Sequence, residues 1–134
     1  MLQLIKENKI KITHSSNDID RQITTFHDPC YMGRYNKDYM SSRNILKSLN
    51  VTNTEMPLNK DKSFCCGAGG GRMFMEEDTS YRINSERVNQ ARSIGGKKII
   101  TACPFCKTML ADGAISYDDM EIKDIVELVG ESIK

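Results

Sequence analysis

Sulfur dominates the chemistry available to this chain, as Cys30, the adjacent pair Cys65-Cys66, and the run Cys103-Pro104-Phe105-Cys106. The intervals are 34 residues from Cys30 to the pair and 36 from the pair to the final C-x-x-C. Each is about the length of one strand-helix-strand unit, so all five sulfurs can converge on one edge of a single sheet. Thiolates are soft ligands that select zinc, copper(I) or iron-sulfur clusters. Five gathered at one point repel one another unless a metal neutralises them, and the pattern therefore predicts a metallocluster.

Ligand arithmetic narrows the choice without closing it. A structural zinc site takes four ligands and ordinary cubane clusters also use four, so five cysteines imply a cluster of unusual shape or one cysteine held in reserve. Adjacent cysteines such as Cys65-Cys66 make a strained disulfide but suit two neighbouring metal atoms. Taken alone, Cys103-Pro-Phe-Cys106 also fits a metal-free dithiol reductase, because a helix N-terminus stabilises thiolate there. That reading leaves three cysteines unexplained. Buried cysteines acting as small hydrophobes are the bland alternative.

Gly67-Ala-Gly-Gly-Gly71 follows the pair directly. It lacks the Gly-Lys-Ser/Thr ending of a phosphate loop. A plain flexible loop is one reading; the other is a backbone that approaches the site closely, with Gly67, Gly69 and Gly70 placing N–H groups at cofactor sulfurs and tuning the potential. His27, three residues before Cys30, is expected to be a hydrogen-bonded neighbour and not a ligand. Arg72 and Met73-Phe74-Met75 either shield the site, face a partner or, for the three apolar side chains, simply pack in the core.

Each sulfur segment has an element to position it. After a short helical pattern with Leu2, Leu4 and Ile5 comes a polar loop, His14-Ser-Ser-Asn-Asp18. Ile23-Thr-Thr-Phe26 is a strand by composition, and Asp28-Pro29 ends it just before Cys30. Residues 38–49 predict a helix with Ile45, Leu46 and Leu49 as its apolar stripe and Asn50 as its stop. A short strand over residues 51–56 and the polar loop 59–63 then deliver Phe64-Cys65-Cys66. Thr79 or Ser80 is expected to cap a helix running to Ser93, with Val88, Ala91 and Ile94 on one face and Gly95-Gly96 as its end. Residues 97–102 are a strand, Pro104 opens the next helix, and a strand near 120–122 with a helix over 124–133 closes the pattern.

Strands alternating with helices predict an α/β fold, three layers deep, with a small parallel sheet and the cysteine loops at the carboxyl ends of its strands. The 134 residues are expected to form a single domain. Net charge is +1 with both signs interspersed, which gives no electrostatic case for nucleic acid. The acidic tilt over residues 118–131 reads as a solvated helix face. No stretch approaches the roughly 20 apolar residues of a membrane span, and residues 1–9 do not resemble a signal peptide. A cytoplasmic location is expected, and with it metal or redox chemistry in place of structural disulfides.

Three motifs together carry a family resemblance: His27-Asp-Pro-Cys-Tyr-Met-Gly-Arg34, Phe64-Cys-Cys-Gly-Ala-Gly-Gly-Gly-Arg-Met73 and Thr101-Ala-Cys-Pro-Phe-Cys106. They resemble the cysteine-rich CCG domain found in heterodisulfide reductases and in iron-sulfur oxidoreductases such as glycolate oxidase iron-sulfur subunits. The likeness covers Ile23 to Cys106 and continues more weakly through residues 122–128. It implies that Cys30, Cys65, Cys66, Cys103 and Cys106 hold a noncubane [4Fe-4S] cluster, with zinc as the alternative. It further implies electron transfer within an oxidoreductase, beside ferredoxin-like domains, a flavoprotein or a quinone-linked membrane subunit. Relatives carry a second cysteine-rich domain and a ferredoxin-like segment, so the resemblance implies the C-terminal piece of such a protein or a separate subunit. Activity of the chain alone is not implied, and any membrane association is expected to run through partners.

Overall fold

The structure is a computed structural model that describes residues 1–12, 22–76 and 81–133. The expected loop over residues 14–18 and the residues Thr79 and Ser80 lie outside these residues, but the helix that Thr79 or Ser80 is expected to cap begins only at Ile83, behind an extended Arg82.

Three strands, β1 (Ile23–Phe26), β2 (Gly96–Thr101) and β3 (Glu121–Asp124), form one sheet in the order β1-β2-β3. Both pairings are parallel, with Phe26 opposite Ile100 and Ile100 opposite Lys123. Every carboxyl end therefore lies on the same edge, the one expected to carry the cysteines. The helices are α1 (Leu2–Lys6), α2 (Ser41–Ser48), α3 (Ile83–Ser93), α4 (Pro104–Gly113) and α5 (Ile125–Glu131).

Side chains alternate across a strand, so the adjacent Ile99 and Ile100, both fully buried, face opposite ways. Ile99 packs with Val88 and Ala91 of α3 and Met109 and Leu110 of α4. Ile100 packs with Phe26, with Ile45 and Leu46 of α2, and with Ile125 and Val129 of α5. Two apolar layers on the two faces of one sheet give the expected three-layer α/β arrangement. The α3–α4 pair approaches closely at Gly113, where a Cβ would lie 2.8 Å from the Asn84 backbone. Asn84, itself buried, donates to the Met109 carbonyl at 3.0 Å across the same contact.

Several expected boundaries hold for the reasons that predicted them. Asn50 follows α2 with φ 57°, a left-handed conformation that asparagine tolerates. Gly95 ends α3 with φ 75°. Pro104 opens α4 behind the extended residue Cys103. The helix expected over 124–133 runs Ile125–Glu131, and its start carries a capping box of Asp124 and Glu127 that was not anticipated from the sequence. The acidic stretch is not one solvated helix face: Glu121 and Asp124 are half-buried in β3 and only Glu127 and Glu131 are exposed on α5, and Glu121 pairs with Lys98, Glu127 with Lys107 and Glu131 with Lys123.

Two further expectations need correction. Residues 51–56 do not form a strand; they make an isolated parallel bridge, Asn53 to Thr24, with one bond from the Thr54 N–H to the Thr24 carbonyl at 2.8 Å. Glu55 is drawn onto Arg43 and Asn53 onto Glu55, and Pro57 has no N–H to continue a ladder. Residues after Pro29 are also not a simple loop: Cys30 caps a π-helical turn, Tyr31–Tyr35. Among the described residues no helix is long and apolar enough to cross a membrane.

Candidate metal centre

Parallel strands deliver two of the sulfur segments side by side. His27, Asp28, Pro29 and Cys30 leave β1, and Ala102 and Cys103 leave its neighbour β2; the His27 N–H still donates to the Ile100 carbonyl at 2.8 Å. Because Pro104 starts α4 at once, Cys103 and Cys106 stand one turn apart at its amino end, with Cys106 buried and Cys103 half-buried. The Cys65-Cys66 segment is tied down by Arg34, whose Nη2 donates to the Ser63 carbonyl at 2.7 Å. Contrary to expectation, no regular strand precedes this segment.

All five cysteines line one cavity of about 590 Å³ at the carboxyl edge of the sheet. All five are free thiols. Cys66 and Cys106 belong at the same time to the apolar layer beneath α3 and α4, whereas Cys30 is exposed at the rim. Sulfur atoms of Cys66 and Cys106 and one ring nitrogen of His27 lie within 4.8 Å of one another. Three exposed aromatic side chains, Tyr31, Phe74 and Phe105, also line the cavity. Of the three apolar residues after Arg72, Met73 packs on the core while Phe74 and Met75 are exposed.

The glycine loop divides. The Gly67 N–H donates to Cys65 Sγ at 3.2 Å, which places a backbone donor on a site sulfur. Its φ of 91° requires glycine, and a Cβ there would meet Ile83 at 3.3 Å. Gly69 and Gly71 line the cavity, while Gly70, with φ 66°, does not.

Proximity makes Cys65 and Cys66 reluctant acids. The Cys66 thiol is pushed up to about 11, chiefly by its neighbour Cys106, with burial adding to the effect. Contact with Cys66 and burial raise Cys65 as well. A second thiolate cannot form cheaply beside the first unless a cation joins them. This donor set is therefore chemically suited to a thiophilic metal centre.

His27 is buried, and its Nδ1 accepts a hydrogen bond from Arg87 Nε at 3.0 Å. Burial and the adjacent Arg87 hold its pKa down to about 3, so the ring is neutral. A neutral imidazole has one ring lone pair, and Arg87 already occupies it. With that lone pair engaged by Arg87, His27 has no free nitrogen lone pair to offer a metal in this arrangement. Arg87 itself is fully buried; burial pulls its pKa down to about 10, with Asp28, Cys106 and Cys66 opposing the fall.

Three arginines to which the sequence reading gave no role organise the centre. Arg34 clamps the pair's segment, Arg87 holds His27, and Arg43 binds both Asp28 and Glu55. The available signal was position. Arg87 stands beside Val88 and four residues before Ala91, on the stripe of α3 that faces the sheet, where a surface arginine has no place.

The comparisons with known proteins agree with this geometry. The family model described as a cysteine-rich domain, CCG, matches residues 24–111. The chain is 40% identical over 99% of its length to the "Probable iron-sulfur-binding oxidoreductase FadF" of Bacillus subtilis, covering 19% of that protein. It is 35% identical over its full length to the "EtfAB:quinone oxidoreductase" of Syntrophomonas wolfei, covering 20% of that protein. With one of the subunits of the "Dihydromethanophenazine:CoB--CoM heterodisulfide reductase" of Methanosarcina mazei it shares 36% identity over 99% of its length and 32% of the relative's. The chain thus spans a fifth to a third of the length of these curated relatives. With a family model covering 24–111 and all three cysteine motifs drawn to one cavity, this chain belongs to the CCG cysteine-rich domain family.

Proposed function

We propose that Cys30, Cys65, Cys66, Cys103 and Cys106 hold an iron-sulfur cluster and that the chain is an electron-transfer domain of a larger oxidoreductase. The carrying observation is that all five thiols line a single cavity at one sheet edge. Relatives named as an iron-sulfur-binding oxidoreductase and as heterodisulfide reductase subunits support the iron-sulfur reading. A noncubane [4Fe-4S] centre suits the donor set best, since five thiolates exceed the four of a cubane and two are adjacent in sequence. When bound, such a cluster supplies one-electron redox chemistry.

The chain's own residues define the rest of the task. Cys66 and Cys106 anchor the site in the apolar layer, the Gly67 N–H supplies a donor to sulfur, and Cys30 is left at the surface. Exposed Tyr31, Phe74 and Phe105 border the cavity and suit a partner domain carrying a ferredoxin-like, flavin or quinone-linked centre. We take residues 1–134 as a single cysteine-rich unit that works beside such domains, in the cytoplasm or held at a membrane by them.

Anaerobic purification with iron and sulfide analysis and electron paramagnetic resonance tests the proposal. Four irons per chain and a paramagnetic signal on oxidation are expected. One zinc per chain with no iron after anaerobic reconstitution would overturn it in favour of a zinc-stabilised interaction domain.

A further inference from the structure

We propose that Arg87 acts through His27 as a built-in counter-charge to the five-thiolate centre: the buried guanidinium fixes the imidazole so that its Nε2–H is donated to sulfur. The proposal rests on the iron-sulfur reading but concerns residues outside the ligand set.

Arg87 is fully buried in α3, and a buried charge is retained where something compensates it. Among the described residues its hydrogen-bond partners are all neutral. Nη1 donates to the Leu58 carbonyl and Gln90 Oε1, both at 2.8 Å, Nη2 donates to Ser63 Oγ at 3.3 Å, and Nε donates to His27 Nδ1 at 3.0 Å. The Asp28 carboxylate is gripped by Arg43. Compensation comes first from Asp28, which Arg87 shares with Arg43, and then from the Cys106 and Cys66 sulfurs, to which His27 is the bridge.

The arginine Nε always carries hydrogen, so a donor at Nδ1 selects the imidazole tautomer protonated at Nε2. The ring lines the cavity, and one of its nitrogens and the Cys66 and Cys106 sulfurs lie within 4.8 Å of one another, so these sulfurs are the acceptors the proposal assigns to the Nε2–H. Hydrogen bonds to sulfur and nearby positive charge both favour the more negative, reduced form of a cluster and raise its potential. Arg87 is accordingly a positioning residue.

The test uses the full chain in two states. In the metal-free chain, nitrogen-15 NMR of His27 is expected to show the Nε2–H tautomer, and Arg87→Met is expected to release Nδ1 into a mixture. In the anaerobically reconstituted chain, His27→Phe keeps the ring volume but removes both polar contacts. It should retain iron while moving the midpoint potential to more negative values. His27→Gln can accept from Arg87 and still donate to sulfur, and should restore most of the shift. Should Arg87→Met not fold, the Phe and Gln pair at His27 still decides. An Nδ1–H tautomer in the wild type, or potentials identical in wild type, His27→Phe and His27→Gln, overturns the inference. Absence of iron from the wild type would instead overturn the iron-sulfur reading, and the tautomer measurement would still stand or fall separately.

Discussion

Arg43 grips Asp28 with both terminal guanidinium nitrogens, at 2.6 and 2.9 Å, and both side chains are almost wholly removed from solvent. The same arginine reaches Glu55 through Nε and Nη2, at 2.6 and 2.8 Å. Asp28 in turn accepts from the Lys60 N–H at 2.8 Å. One fork thus joins α2, the residue two before Cys30 and the loop that leads to Cys65. Replacing it with Arg43→Ala leaves a buried carboxylate uncompensated and should cost about 3–5 kcal/mol. Arg43→Lys should recover only part of that, because an ammonium cannot bind two carboxylates in fork geometry. Urea unfolding of the metal-free chain gives both numbers, and equal stability of Arg43→Lys and wild type would show that the fork geometry contributes nothing.

The proposed five-thiolate ligation makes a second prediction. Cys66→Ser and Cys65→Ser should each lose most of the iron taken up by the wild type, since a hydroxyl is a poor ligand where thiolate is required. His27→Ala should keep iron bound. Metal analysis of the five single Cys→Ser variants beside His27→Ala measures this; a cysteine dispensable for iron together with a required His27 would replace the assignment with a histidine-containing site.

The raised thiols set a pH dependence for the metal-free chain. Cys66 titrates at about 11 in the folded state against an ordinary 9.0, so between those values the unfolded chain has lost a proton that the folded chain keeps. Stability contributed by Cys66 is complete below pH 9.0 and falls as pH rises towards 11, at up to about 1.4 kcal/mol per pH unit per proton. Urea midpoints under reducing conditions across this range should fall less steeply for Cys66→Ala. The same chemistry requires metal uptake to release protons, which calorimetry in buffers of different ionisation enthalpy detects.

Gly113→Ala tests the closest approach of α3 and α4. A methyl there would lie 2.8 Å from the Asn84 carbonyl carbon and oxygen, which are backbone atoms that cannot swing aside. Overpacking of this kind costs about 1–3 kcal/mol, whereas Gly69→Ala, where nothing lies within 4 Å, should be near neutral. Thermal unfolding of the two variants side by side separates them.

The sequence was most legible where one local signal decided an element. The β-branched run before Cys103 and the proline after it specify a strand, a turn and a helix within a few residues, and the structure has them at Gly96–Thr101 and Pro104–Gly113. Ile45, Leu46 and Leu49 similarly marked the buried face of α2. Residues 51–56 look equally strand-like in isolation, but their conformation is set by Glu55 reaching Arg43, a contact across 12 residues that no local pattern encodes. The convergence of the cysteines was readable from their spacing. The arginines were not, because a charged side chain in a helix reads as surface until its neighbours across the sheet are known. The π-helical turn after Cys30 was also hidden; its Gly33 backs onto the Tyr39 ring, where a Cβ would lie 2.7 Å from the ring edge.

The three sulfur segments come from points of the chain separated by 34 and 36 residues, yet they line one cavity. Any centre that bonds to all of them ties two long loops shut and acts on the denatured ensemble as a covalent cross-link does. A disulfide closing loops between about 15 and 100 residues is worth about 3–5 kcal/mol by this entropy alone. A three-stranded sheet with a half-open edge gains more from such a staple than a large domain would. Losing the centre should therefore loosen the loops around Cys30 and Cys65 before it disturbs the sheet, so that the redox cofactor doubles as the clasp of the fold.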